Sequence, residues 1–115
     1  MALQGVNACE IIGHVGHVQG RQESPNGTAL LRFSVAVNIG GKEQQRTDWF
    51  NCTAFGKAAE ALADTMRKGC LVRCTGPVSA RPHVGHGNKG ATAALDLSAF
   101  QVNVLGWPKE RLQPE

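Results

Sequence analysis

Only one stretch of this chain abandons the two-residue period of a β-strand. In GKAAEALADTMRKG, Gly56 to Gly69, the apolar residues Ala58, Ala59, Leu62, Ala63 and Met66 recur at the spacing of one helix face. Lys57, Glu60, Asp64 and Lys68 fall on the other side. Arg67 and Lys68 suit the negative end of a helix, and Gly69 suits its C-cap. The spacing predicts a single helix that runs to Gly69. Whatever lies on either side of it must be strand or loop, so the chain is expected to be all-β with one helix.

Strands are expected at Ala8 to Val15, around Phe33, Val35 and Val37, and at Arg46 to Phe55. Two more follow the helix, at Cys70 to Thr75 and Ala93 to Val104. Pro25-Asn26-Gly27 is a hairpin turn signal between the first two strands. SARPHVGHGNKG, from Ser79, reads as a Gly-rich basic loop joining the arms of the last hairpin. A helix between the third and fourth of five strands is the arrangement of an OB-fold, a five-stranded Greek-key barrel. At 115 residues, with 42% hydrophobic and 18% charged content, the chain fits one domain with a real core. We assign residues 1–105 to the barrel and 106–115, which contain Trp107, to a short C-terminal extension. No run is long and apolar enough for a membrane helix, and MALQGVNACE lacks the pattern of a secretory signal, so a cytoplasmic location is expected.

The third strand is unusual on both faces. Phe50, Cys52 and Ala54 share one parity and are apolar enough for the core. Trp49, Asn51, Thr53 and Phe55 share the other, so two aromatics sit among small polar residues, and Lys57 follows directly. The net charge of +3 permits an anionic partner. Arg73 has outward parity on the next strand in sequence, and Lys42, Arg81, His83 and Lys89 fall in segments read as loops. Rings interleaved with cations on one side of an OB sheet suit single-stranded nucleic acid. Bases stack on the rings, lysines and arginines meet phosphates, and sequence preference should be slight.

Cys9, Cys52, Cys70 and Cys74, with His14, His17, His83 and His86, invite a metal reading. Cys70 and Cys74 share a parity with Val72, however, and Cys52 lies between Phe50 and Ala54, so these thiols are expected in the core as small hydrophobes. His14 and His17 are expected at the surface. Neither a metal nor another cofactor is expected. Paired carboxylates, a phosphate-binding glycine loop and a nucleophile elbow are all missing from the sequence, which argues against an enzyme.

GVNACEIIGHVG, PNG, TDWF, AFGKAAE and MRKGCLVRCTG occur in order along residues 5 to 105. On this ordered series the chain resembles the bacterial and phage single-stranded DNA-binding protein family. The resemblance implies a homo-oligomer, a tetramer rather than a dimer, that coats single-stranded DNA in replication, recombination and repair, with the nucleoid as its place of action. It also implies that Trp49 and Phe55 stack on bases, that Lys57 meets phosphate, and that Arg81 is the basic position of the last hairpin. The chain departs from the family pattern in several places. The loop NIGGKEQQ is shorter and carries no aromatic, His83 stands where many members have tryptophan, and Phe50 replaces a common histidine. The chain ends at RLQPE without an acidic-hydrophobic tip, so recruitment of enzymes through such a tail is not expected. The alternative is a dimeric OB-fold similar to primosomal replication proteins, binding single strands and a helicase; the Trp49-to-Glu60 series favours the first reading.

Overall fold

The computed structural model describes residues 5–84 and 91–108. The elements are β1 (Cys9–Val18), β2 (Gln22–Glu23), β3 (Ala29–Ile39), β4 (Arg46–Phe55), α1 (Gly56–Ala63), β5 (Leu71–Gly76), β6 (Val78–Val84), β7 (Ala91–Ala99) and β8 (Gln101–Gly106). Hydrogen-bonded neighbours run β6-β7-β4-β3-β1-β5-β8, with β2 beside β3. The β4–β7 pairing is parallel and the others are antiparallel.

Two long strands are each broken by a corner. β5 and β6 are consecutive across Pro77, which has no N–H to offer a ladder, and β7 and β8 are consecutive across Phe100. The corner is held where the Ser98 N–H donates to the Pro77 carbonyl at 3.0 Å and the Phe100 N–H to the Thr75 carbonyl at 3.0 Å. A side chain at Gly76 would place its Cβ 2.0 Å from the Ser98 carbonyl oxygen, so the close approach of the two backbones requires glycine there. Each broken strand thus serves both ends of the sheet. Counted as continuous strands, and setting aside the two-residue β2, the barrel has five, with α1 between the third and fourth. This is an OB-fold, as the element order predicts.

Three local expectations differ from the structure. The last strand is not straight from Ala93 to Val104 but bends at Phe100 and changes partner, from β4 to β5. Ser79 to Val84 are not loop but strand β6, paired with β7 from Val78↔Leu97 to Val84↔Ala91. The helix stops at Ala63, six residues before the glycine expected to cap it. There the Leu62 carbonyl accepts from the N–H groups of both Thr65 and Met66, at 3.1 and 2.8 Å, which tightens the turn. Beyond it, the Gly69 N–H donates to the Val15 carbonyl and the Val15 N–H to the Cys70 carbonyl. Pairing with β1 overrides the helical period. Met66 keeps its core position from the turn, at 5% exposure.

The core follows the strand parities. Ile11 and Val15 of β1, Leu31, Phe33 and Val35 of β3, Cys52 and Ala54 of β4, Val72 and Cys74 of β5, and Leu97 and Ala99 of β7 are buried together, closed by Ala59 of α1. Cys52, Cys70 and Cys74 are buried free thiols, matching their reading as core residues. A hydrogen bond with the Cys74 thiol, and then burial, push the Cys52 thiol up, so it stays protonated. Beyond the barrel, Trp107 folds back under Arg67, whose guanidinium lies 6.0 Å from the ring centroid. Leu31→Ala, at one of the largest fully buried side chains, should cost about 2–5 kcal/mol, read as a lower urea midpoint with the slope unchanged.

Candidate nucleic-acid interface

Alternation along β4 sends Cys52 and Ala54 into the core and Trp49, Asn51, Thr53 and Phe55 to the outer face. On β3 the matching outer positions are Arg32, Ser34 and Ala36, opposite Thr53, Asn51 and Trp49. Trp49 is 55% exposed and Phe55 45%. The two rings are six residue steps apart along β4, about 20 Å at ~3.3 Å per step. That equals roughly six nucleotides at the ~3.4 Å rise of a stacked strand.

The Trp49 ring does not stand off the sheet. A Cβ on Gly16 would lie 2.6 Å from its Cζ3 and 2.9 Å from its Cη2, so the indole reaches across to the β1 bulge and rests on bare backbone. The absence of a side chain at Gly16 lets the ring lie low and keep its other face open. At the far end of β4, Phe55 shares a shallow apolar pocket with Leu30, Pro25 and Thr28 of the β2–β3 hairpin.

Between the rings runs a groove of about 520 Å³ lined by His17 and Gln19 of the β1 end, Arg32 and Ser34 of β3, Asn51 and Thr53 of β4, Arg81 of β6 and Asp96 of β7. Inside it, Arg81 donates to Asp96 in bidentate fashion, Nε to Oδ2 at 2.8 Å and Nη2 to Oδ1 at 3.3 Å. Asn51 Nδ2 donates to Asp96 Oδ1 at 3.4 Å. The hydrogen bonds from Arg81 hold the Asp96 carboxyl below its usual 3.8; partial burial opposes them and Asn51 adds to them. Asp96 in turn raises the Arg81 pKa through the same hydrogen bonds.

Other cations divide into two sets. Arg21 is paired with Glu60, Arg46 with Asp48 and Arg73 with Glu10. Among the described residues, Arg32, Lys42, Lys57 and Lys68 have no ion-pair partner, and all four are exposed. Lys57 is the second residue of α1, just past Phe55, and Lys42 is in the turn between β3 and β4.

The structure therefore brings together Trp49, Phe55, Arg81 and, at the strand end, Lys57. It places Arg73 elsewhere: β3 and β1 stand between β4 and β5, and Arg73 Nε donates to Glu10 across to β1 at 2.7 Å. The strand next in sequence is not next in the sheet. His83 occupies a β6 position opposite Thr92, but its side chain and all of Lys89 and His86 lie outside the described residues. Arg32, His17 and Asp96 are groove residues that the sequence reading did not select. Parity alone would have found Arg32, two residues before Ser34 on the same face. Asp96 could not be found that way, because its place depends on β7 lying beside β4.

The family model for the single-strand binding protein family matches residues 6–103. The chain belongs to that family. Among relatives in the family, a single-stranded DNA-binding protein of Neisseria meningitidis is 32% identical over 110 residues, which cover 91% of this chain and 63% of the relative. A protein of Chlorobaculum tepidum named single-stranded DNA-binding protein 1 is 31% identical over 108 residues, covering 90% and 67%. The chain thus spans roughly two-thirds of the length of these family members. Among solved structures, the protein PriB from Ralstonia solanacearum superposes with a TM-score of 0.65 at 15% identity, over 88% of this chain and 99% of that one. At that identity the likeness speaks for the fold alone.

The ion pair in the groove has a direct check. Because Arg81 favours the charged carboxylate, the stabilisation it gives is present above the ordinary aspartate range and is lost as pH falls through the depressed value of Asp96. Arg81→Ala should move the Asp96 carboxyl titration upward, towards 3.8, in an NMR pH series. An unmoved titration means the pair does not form in solution.

Proposed function

We propose that this chain binds single-stranded DNA with little overall sequence preference, as a binding protein rather than an enzyme. The observation that carries the reading is the outer face of β4, with two half-exposed rings at either end of a polar groove. An uncovered tryptophan on a polar sheet face leaves apolar area in water, and flat bases are a cover of the right shape. Arg32, Lys57 and Lys42, without carboxylate partners among the described residues, supply charge for phosphates. Membership of the single-strand binding protein family supports the same assignment. On this reading the barrel of residues 1–105 is the binding unit and protects single strands in DNA replication, recombination and repair. Its place is the cytoplasm, with the nucleoid; among the described residues no helix is long and apolar enough to cross a membrane.

The chain works as a homo-oligomer, a tetramer rather than a dimer. Exposed Ile12 of β1 and Leu105 of β8, on the outer side of the sheet away from β4, fit a self-association surface. Light scattering of the purified protein measures the subunit number directly, and a monomer at micromolar concentration contradicts this part of the proposal.

Trp49→Ala should weaken binding to oligo-dT by about 1–3 kcal/mol, a roughly five- to 150-fold rise in Kd. Single-stranded DNA should quench tryptophan emission in the parent protein and not in this variant. An unchanged Kd removes Trp49 from the site. Lys57→Ala should lower the slope of log K against log salt by about 0.7, the share of one phosphate contact on a single strand.

A further inference from the structure

Arg81 and Asp96 are set inside the groove, where a phosphate contact and a base contact make opposite demands on them. We propose that this pair is a base-reading subsite, favouring cytosine or guanine over thymine and adenine within the single strand. The inference rests on the single-strand reading above and gives it a chemical preference.

Hydrogen-bond geometry comes first. Asp96 occupies Nε–H and one Nη2–H of Arg81. A guanidinium has five N–H groups, so one on Nη2 and two on Nη1 remain, and the outermost two point the same way as a fork. Because the carboxylate holds the group along its side, the fork is fixed in plane before any ligand arrives. Less side-chain entropy is then lost when it engages an acceptor pair.

Charge comes second. A phosphate approaching Arg81 also meets Asp96, so the net charge it sees there is close to zero. Arg32, Lys42 and Lys57 meet no such opposition among the described residues. Phosphates gain more from those three, and the Arg81 fork is left for neutral acceptors.

Acceptor pattern comes third. A fork needs two neighbouring acceptors on one edge of a base. Cytosine has them at N3 and O2, and guanine at N7 and O6, where bidentate arginine is a recurrent partner. Thymine and adenine alternate donor and acceptor on their edges and offer no such pair. In a single strand these edges are not occupied by a complementary base. Asn51 adds a bias: its Nδ2 is engaged by Asp96, which leaves Oδ1 as the acceptor it can present to the amino group of cytosine. Short side chains at Ser34 and Thr53 leave room for a base beside the pair.

The test uses the full chain and two labelled oligomers of equal length, oligo-dC and oligo-dT, titrated at several salt concentrations. Arg81→Lys keeps the charge and removes the fork. It should raise the ratio of Kd for dC to Kd for dT by about fivefold relative to the parent, the low end of a bidentate contact, with the salt slope unchanged. Asp96→Asn, which unpins the fork, should raise the ratio in the same direction. A ratio that stays at the parental value in both variants overturns the proposal. So does an equal loss on both oligomers for Arg81→Ala with the salt slope reduced by about 0.7, which makes Arg81 a phosphate contact. Failure of the parent protein to bind either oligomer is a different result: it overturns the single-strand reading, and this subsite with it.

Discussion

β4 is hydrogen-bonded along both edges, antiparallel to β3 from Leu30↔Phe55 to Ile39↔Arg46 and parallel to β7 from Phe50↔Leu95 to Ala54↔Ala99. Register along such a strand is all or nothing. A slip of one residue would turn Cys52 and Ala54 to water and drive Asn51 and Thr53 into the barrel without partners. The buried set on β3, Leu31, Phe33 and Val35, locks against the buried set on β4 and forbids the slip. That lock also fixes Trp49 and Phe55 on the outside, so core packing and the exposure of both rings are set by one alignment. The exposed rings are a consequence of the register that the core demands.

Around that strand, the placement of charge divides the surface by task. Arg21 and Arg73 are tied to carboxylates on neighbouring elements, and Arg46 to Asp48 on its own strand. Exposed pairs of this kind add little stability, but they do occupy the cation. Arg32 lines the groove, and Lys57 follows Phe55 at the start of α1; neither has such a tie among the described residues. Arg81 is different again, because its carboxylate partner shares the groove with it. On the proposed reading, a polyanion lying across β4 would meet uncompensated charge from Arg32 and Lys57 and, between them, the charge-balanced Arg81–Asp96 pair.

Much of this was legible in the amino-acid sequence, because strand parity is a local property. Phe50, Cys52 and Ala54 against Trp49, Asn51, Thr53 and Phe55 could be sorted without coordinates, as could Cys70, Val72 and Cys74. The PNG turn was readable too: the Ser24 and Thr28 backbones close the hairpin it signals. What could not be read is which strands are neighbours across the barrel. Arg73 was expected beside Trp49 because β5 follows β4 after one helix, yet two strands separate them in the sheet. The end of α1 was misplaced for a related reason. Met66 satisfies the helical period, but Gly69 and Cys70 are claimed by hydrogen bonds to Val15, 54 and 55 positions away in the chain. Asp96 went unnoticed because its significance comes from the parallel pairing of β7 with β4.

The most direct test is a two-dimensional 15N–1H NMR titration with oligo-dT, which reports every backbone amide and both indole N–H groups at once. The Trp49 indole and the amides of Arg32, Ser34, Asn51 and Thr53 should move first, while those of Ile12, Arg73 and Leu105 stay in place. Perturbation concentrated on the outer side of β5 and β8, with the Trp49 indole unmoved, would contradict a binding surface built on β4.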